Sequence, residues 1–191
     1  MKKYLKDPGY VPEQGVSMDE QCMSLALEAA EAALARGDFP VGCVIMRGAD
    51  VVATGARQGT ADDKKRASEL DHAEILALRH LESLDVDREG LVLYCTMEPC
   101  LMCFAAIMLS GIKKVVFAYE DVMGGGTGCD RNGLSPLYRD CGIRVIPGVL
   151  RRESLSLFYR FFRSPQNVYW KDSLLEKYTL EQGENSLGIG I

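Results

Sequence analysis

The sequence predicts an α/β fold, a three-layer α/β/α sandwich around a five-stranded mixed sheet. Three observations lead there. Short β-prone runs alternate with stretches of helical periodicity along the chain. Val41 to Met46 is apolar or small on both faces, as expected of a strand covered on two sides. Leu91 to Thr96, a third apolar β-prone run, passes directly into Pro-Cys-x-x-Cys and an apolar helix. With 191 residues there is chain enough for one domain with a sizeable core.

In order, residues 1–17 carry Pro8, Gly9, Pro12 and Gly15 and read as an extended arm. Asp19 or Ser17 caps a helix running to about Arg36, stopped by Gly37-Asp38. Val41–Met46 and Val51–Thr54 form a hairpin through the turn at residues 47–50. Residues 56–71 are irregular, rich in both charges, and suit a mobile rim to a pocket. A helix over 72–83 packs Ile75, Leu76, Leu78 and Leu81, with Asp71 as the expected cap. After a charged connection come the strand Leu91–Thr96 and a helix whose first turn is expected to hold Pro99, Cys100 and Cys103. Gly111 stops that helix and Lys114–Ala118 is the next strand. The run Gly124-Gly125-Gly126-Thr127-Gly128 reads as a flexible segment; it lacks the spacing and Lys-Ser/Thr ending of a phosphate loop. A short helical piece near 134–140, a strand Ile143–Ile146 and a helix from about Leu150 to Phe162 complete the core. Residues 164–191 are an extension, helical over about Trp170–Leu180 and then rich in Gly and Asn; Tyr169-Trp170 is expected to dock on the core or on a partner subunit.

Cys100 and Cys103 are three apart at a helix start, where the positive end of the helix dipole lowers thiol pKa and prepares the pair for a soft cation. Two thiolates do not complete a zinc site, and the chain has only two histidines, His72 and His80. His72 stands at a helix start and can face the other helix start across a cleft, whereas His80 lies two turns deeper. Two Cys, one His and a nearby Glu74 match catalytic zinc, in which three protein ligands leave a position for water and a carboxylate carries the proton. Positions i and i+2 do not share a helical face, so spacing alone does not bring His72 and Glu74 together. A redox Cys pair or a structural zinc half-site are the other readings of Cys-x-x-Cys; Cys22, Cys43, Cys95, Cys129 and Cys141 offer no second paired spacing.

His72-Ala73-Glu74 followed by Pro99-Cys100-Leu101-Met102-Cys103 resembles the signature of the zinc-dependent cytidine/deoxycytidylate deaminase superfamily. Phe39-Pro40-Val41-Gly42, Thr96-Met97-Glu98-Pro99-Cys100, Val115-Val116-Phe117 with Asp121, and Phe161-Phe162-Arg163 are similar to its bacterial tRNA-specific adenosine deaminase branch. The resemblance covers residues 18–163 and implies a deaminase domain there with a cytidine-deaminase-like fold. It implies one Zn2+ per subunit on His72, Cys100 and Cys103, zinc-bound hydroxide as nucleophile and Glu74 as proton shuttle. It further implies a base seated against Phe39, Pro40 and Val41, with Asp121 near the substrate. Arg57 aligns where the family usually carries an Asn that contacts base or sugar; Arg accepts no hydrogen bond but grips a phosphate or a carbonyl. Asp71 replaces a usually small residue. Family members form homodimers in which one subunit helps build the other's pocket.

The implied reaction is hydrolytic deamination of a cyclic amidine: adenosine to inosine in tRNA, or alternatively deamination of a free base, nucleoside or nucleotide. A net charge of −5 gives no global attraction to nucleic acid, so phosphate contacts have to be local. Arg160 and Arg163 are the candidates within Arg151, Arg152, Arg160 and Arg163, a cluster that equally fits an amphipathic helix docking Phe158, Tyr159, Phe161 and Phe162. Seven cysteines without a dense framework fit a reducing compartment and metal use. No apolar N-terminal segment resembles a signal peptide, and Leu101–Leu109 is too short to span a bilayer. A cytoplasmic protein is expected.

Overall fold

A computed structural model describes residues 16–61 and 68–187. The arm read over 1–17 lies outside the described residues up to position 15, as do 62–67 of the charged rim and 188–191.

Helix α1 (Met18–Ala35) opens with a capping box. The Ser17 hydroxyl accepts from the Glu20 N–H at 3.2 Å, and the Glu20 carboxylate accepts from the Ser17 N–H at 2.7 Å. The cap is therefore Ser17. Asp19 instead bonds Lys114 Nζ at 2.7 and 2.9 Å and Tyr94 Oη at 2.7 Å, tying α1 to the sheet. Strands β1 (Gly42–Arg47) and β2 (Asp50–Ala56) form the expected hairpin, with Gly48 at φ +59° in its turn and a register shift between Ile45 and Met46.

Helix α2 (Ala73–Glu82), strand β3 (Leu91–Met97), helix α3 (Leu101–Leu109) and strand β4 (Lys114–Tyr119) follow, then a 3-10 turn (Arg131–Gly133), the short α4 (Pro136–Arg139), β5 (Arg144–Pro147), α5 (Arg151–Arg163) and α6 (Leu174–Leu187). The sheet order is β2-β1-β3-β4-β5. β1 is antiparallel to β2 and β3, while β3, β4 and β5 are parallel, so the sheet is mixed and five-stranded as predicted.

Alternation along the strands divides the core into two layers. Val44, Met46, Tyr94, Val116 and Ala118 pack on Cys22, Met23 and Ala26 of α1. Cys43, Ile45, Leu93, Cys95 and Val115 join Ala73, Ala77 and Leu81 of α2 and Phe104 and Ile107 of α3 on the other face. Helix α5 closes the carboxyl ends of β3 and β4, where the Ser154 hydroxyl donates to the Thr96 carbonyl at 2.6 Å and Phe158 stacks on Tyr119 at 5.4 Å.

Two expectations change. α6 begins after Trp170 and Asp172, both at positive φ (54° and 64°), and continues through Gly183 to Leu187. Packing overrides propensity here: a Cβ on Gly183 would lie 2.1 Å from the Tyr159 ring, so the glycine is what lets α6 lie on α5. The 124–128 run is packed, not loose. The Gly126 N–H donates to the Pro99 carbonyl at 2.9 Å, Gly125 pairs with Cys100 in an isolated bridge, and Thr127 Oγ1 donates to Glu98 Oε1 at 2.6 Å. Glycine is required where the start of α3 passes against the run: a Cβ on Gly126 would lie 2.4 Å from the Leu101 nitrogen.

Candidate metal centre and active site

The amino ends of α2 and α3 meet at the carboxyl end of the sheet. His72 is the N-cap of α2 and Cys100 the N-cap of α3, both in extended backbone (ψ 153° and 170°). Cys100 is thus not in the first helical turn, and Pro99 precedes the helix. Asp71 does not cap α2 either: its carboxylate turns outward to Arg79 Nη1 at 3.1 Å. A cap residue directs its side chain toward the third helical position, and at Cys100 that position is Cys103, so extended backbone at the cap is what brings the two sulfurs together.

His72 Nδ1 lies 3.6 Å from Cys100 Sγ and 3.5 Å from Cys103 Sγ, and ligand atoms of the three residues all fall within 4.8 Å of one another. Zinc bonds of 2.3 Å to sulfur and about 2.05 Å to nitrogen at a tetrahedral angle place the two donors about 3.6 Å apart. The donor set therefore fits Zn2+. Hydrogen bonds from the Cys103 thiol and from His72 pull the Cys100 thiol down to about 4, so one thiolate is ready. Bonding to Cys100 and burial push Cys103 up, so its proton is the one a cation has to displace. His80, by contrast, sits on the exposed side of α2 and meets the Thr54 N–H at 3.4 Å.

Around this centre is a cavity of about 70 Å³, room for a few waters or one planar ring at ~10–15 Å³ per water. It is lined by His72, Glu74, Cys100, Phe39, Val41, Arg57 and Asp121 among the residues singled out from sequence. Pro40 is buried behind them, its carbonyl accepting from Thr96 Oγ1 at 3.4 Å, and is not part of the lining. Arg160 and Arg163 are also outside it; Arg160 is held by Glu31 at 2.6 and 2.9 Å.

Glu74 sits in the first turn of α2, 3% exposed, and its Oε2 has no hydrogen-bond partner. Burial pushes its carboxyl up. Asp121 is also pushed up by burial, while its Oδ1 accepts from the Met123 and Gly124 N–H groups at 2.9 and 2.8 Å. Asp121 both builds its own turn and faces the cavity.

Glu98, Tyr169 and Trp170 also line the cavity; from the sequence Tyr169-Trp170 is expected only to dock on the core or a partner subunit, and Glu98 only as part of a family motif. Glu98 ties the two loops together, accepting from Thr127 and from the Asp121 N–H at 3.3 Å. Tyr169 and Trp170 dock on this chain's own Phe39, with ring centroids 5.5 and 6.3 Å away, and complete the wall. The glycine run, read from sequence as flexible, also carries a usable signal, since a string of residues without side chains marks a close approach.

Residues 16–119 match the cytidine and deoxycytidylate deaminase zinc-binding region. The chain is 32% identical to a tRNA-specific adenosine deaminase of Bacillus subtilis over 158 residues, 78% of this chain and 91% of that protein. A solved tRNA:A34 deaminase, studied for A-to-I editing at the wobble position of transfer RNA, superposes with a TM-score of 0.58 at 31% identity, covering 71% of this chain and 97% of the other. The guanine deaminase of Nitrosomonas europaea superposes with a TM-score of 0.58 at 26% identity, over 74% and 83%.

Proposed function

This chain belongs to the cytidine and deoxycytidylate deaminase zinc-binding family and is a hydrolytic deaminase; from that premise we propose that its substrate is adenosine in tRNA, converted to inosine. The observation that carries the reading is the buried, unpaired Oε2 of Glu74 in a cavity shared with the His72, Cys100 and Cys103 donor set. An acceptor left without a partner inside a protein is costly, and a proton donor arriving with water or substrate relieves that cost.

His72, Cys100 and Cys103 would hold zinc, which when bound would supply the Lewis acidity that makes water nucleophilic at neutral pH. Glu74 accepts the proton the water gives up and returns it to the ring nitrogen and the departing amine. The C–N bond breaks, a C–O bond forms at the same carbon, and ammonia leaves. Phe39, Val41, Tyr169 and Trp170 clamp the ring and keep bulk water out. A loop nucleotide is already unpaired, so presenting its base costs little.

Arg163 and Arg160, exposed at the end of α5, serve as phosphate contacts. Arg160 has to leave Glu31 to do so, whereas Arg163 has no ion pair among the described residues. Leu101, Leu109, Met123 and Leu137 are each exposed, and a homodimer is the assembly that would cover such side chains. Among the described residues no helix is long and apolar enough to cross a membrane, and the protein works in the cytoplasm, where tRNA is found.

Ammonia release and inosine content are measured with tRNA, adenosine, guanine, guanosine, cytidine and their monophosphates. Inosine in tRNA, formed with an affinity that falls as salt rises, is the expected result. Ammonia from a free base and none from tRNA would replace this substrate with the small-molecule alternative, toward which the net charge of −5 leans.

A further inference from the structure

Residues 165–173, between the end of α5 and the start of α6, bring Tyr169 and Trp170 to the cavity. Their hydrogen bonds are almost all local. The Asn167 N–H donates to the Ser164 carbonyl at 3.1 Å, the Tyr169 N–H to Asn167 Oδ1 at 2.9 Å, Asn167 Nδ2 to the Tyr169 carbonyl at 3.2 Å, and the Ser173 N–H to the Trp170 carbonyl at 3.2 Å. Among the described residues, one polar group ties this segment to anything beyond its flanking helices, the Tyr169 hydroxyl. It accepts from Arg57 Nη2 at 3.3 Å and donates to Glu69 Oε2 at 3.1 Å. The remaining tie is apolar, the two rings lying 5.5 and 6.3 Å from that of Phe39.

Both ends of the segment are fixed. Helix α5 buries Phe158, Phe161 and Phe162, and α6 buries Leu175 and Thr179, whose hydroxyl meets Tyr119 Oη at 3.1 Å. The middle is strained. Trp170 and Asp172, at φ +54° and +64°, are two of the three non-glycine residues in left-handed backbone among the described residues, a conformation that a bulky side chain holds only when its surroundings impose it. The groups that receive the hydroxyl are unequal. Arg57 is immobile, its side chain 2% exposed, its N–H donating to the Val41 carbonyl at 2.8 Å and its own carbonyl accepting from Arg36 Nη2 at 3.1 Å. The Glu69 side chain is 61% exposed, so water competes for its carboxylate.

We propose that residues 165–173 are a lid over the active-site cavity, with the Tyr169 hydroxyl as its latch and Arg57 and Glu69 as the catch. A strained span between two fixed helices, held by one hydroxyl and one ring, is released when that hydroxyl lets go. The cavity of about 70 Å³ needs both positions: open for a base carrying its sugar to enter and for product to leave, closed to keep water from the reacting centre. Arg57 is then a positioning residue that works through Tyr169. The proposal rests on this cavity being where a base is deaminated, and not on that base belonging to tRNA.

Trp170 is the only tryptophan of the chain, so quenching of its fluorescence by acrylamide reports on the lid directly. Zinc-loaded wild type is compared with Tyr169→Phe, which keeps the ring against Phe39 and loses the hydroxyl. Loss of a hydrogen bond to charged partners is expected to move the balance between closed and open about 5- to 30-fold toward open. Quenching then increases, and KM on anticodon-loop RNA and on free nucleosides rises by up to that factor, while kcat holds or increases because product leaves more readily. Glu69→Gln, a surface change, is expected to shift quenching and KM the same way by less, and answers the question should Tyr169→Phe lose thermal stability. Unchanged quenching and KM in both variants overturn the proposal and make the segment a fixed wall. So does a fall in kcat with unchanged quenching, which would put the hydroxyl on the substrate. If quenching shifts and free nucleosides show the change in KM while RNA is not converted, the tRNA assignment fails and the lid stands; if RNA is converted and neither quantity shifts, the reverse holds.

Discussion

His72 and Glu74 are two residues apart, yet both face one cavity because His72 is not part of the helix that carries Glu74. Its extended backbone (φ −68°, ψ 153°) turns the imidazole toward the sulfurs, and the carboxylate then rises from the first turn of α2 beside it. A continuous helix would separate them by about 200°. The metal donor and the carboxylate proposed to carry the proton therefore sit on neighbouring but conformationally distinct positions.

Glu74→Gln follows from this separation. The amide keeps the shape and leaves His72, Cys100 and Cys103 untouched, so zinc content by elemental analysis stays at one per chain. Turnover is expected to fall by about 10²–10⁴-fold or more, as for loss of a general acid–base group. Retained ammonia release would take the proton-carrying role away from Glu74.

Metal removal separates catalysis from folding. His72 Nδ1 and Cys100 Sγ already meet at 3.6 Å without the metal, and both core layers are built from apolar contacts among strands and helices. A chelator is expected to abolish turnover and leave the far-ultraviolet circular dichroism unchanged. Zinc at a hundredfold excess over its Kd adds about 2.7 kcal/mol, a rise of roughly 5–10 °C in Tm. Unfolding on chelation would mark the metal as structural.

Asp19 sets part of the acid limit. Burial pushes its carboxyl up, but hydrogen bonds from Lys114 and Tyr94 outweigh this and hold it below its ordinary value of 3.8. A group depressed in the folded state stabilises above its unfolded pKa and loses that contribution as pH falls through the folded one. The Tm advantage of wild type over Asp19→Asn is thus expected in full at pH 6 and to shrink progressively below about pH 4. An advantage independent of pH would mean that packing, not charge, ties α1 to β4.

Gly42 marks the closest approach of β1 to α1. A Cβ there would lie 2.1 Å from the Ala26 carbonyl oxygen and 2.5 Å from the Ala30 nitrogen, both backbone atoms that cannot swing aside. Gly42→Ala is expected to destabilise by about 3 kcal/mol, near the upper end for overpacking, or roughly 6–12 °C in Tm. Differential scanning calorimetry reads this directly; a change within 1–2 °C would show that α1 can move away at little cost.

Much of this was legible in the chain. The strands came from apolar runs, and the zinc donors from a helix-start Cys pair in a chain with only two histidines. What was not legible depends on contacts between distant residues. Whether Cys100 is a cap or a first-turn residue turns on one ψ angle, and Pro99 is compatible with both. The helix through Gly183 exists because Tyr159 lies beneath it. The partner of Arg57 is Tyr169, 112 residues away, and no local pattern announces such a pairing.

That last contact has an evolutionary corollary. The metal donors and Glu74 all fall within residues 16–119, the segment shared with the family, while Tyr169 and Trp170, which finish the cavity wall, come from well beyond it. Part of the cavity wall is thus encoded apart from the metal donors, although Phe39, Val41 and Arg57 of that wall lie within the shared segment. Drift in the later stretch can retune which molecules are accepted without disturbing the chemistry, a ready route for one ancestral catalyst to acquire many clients.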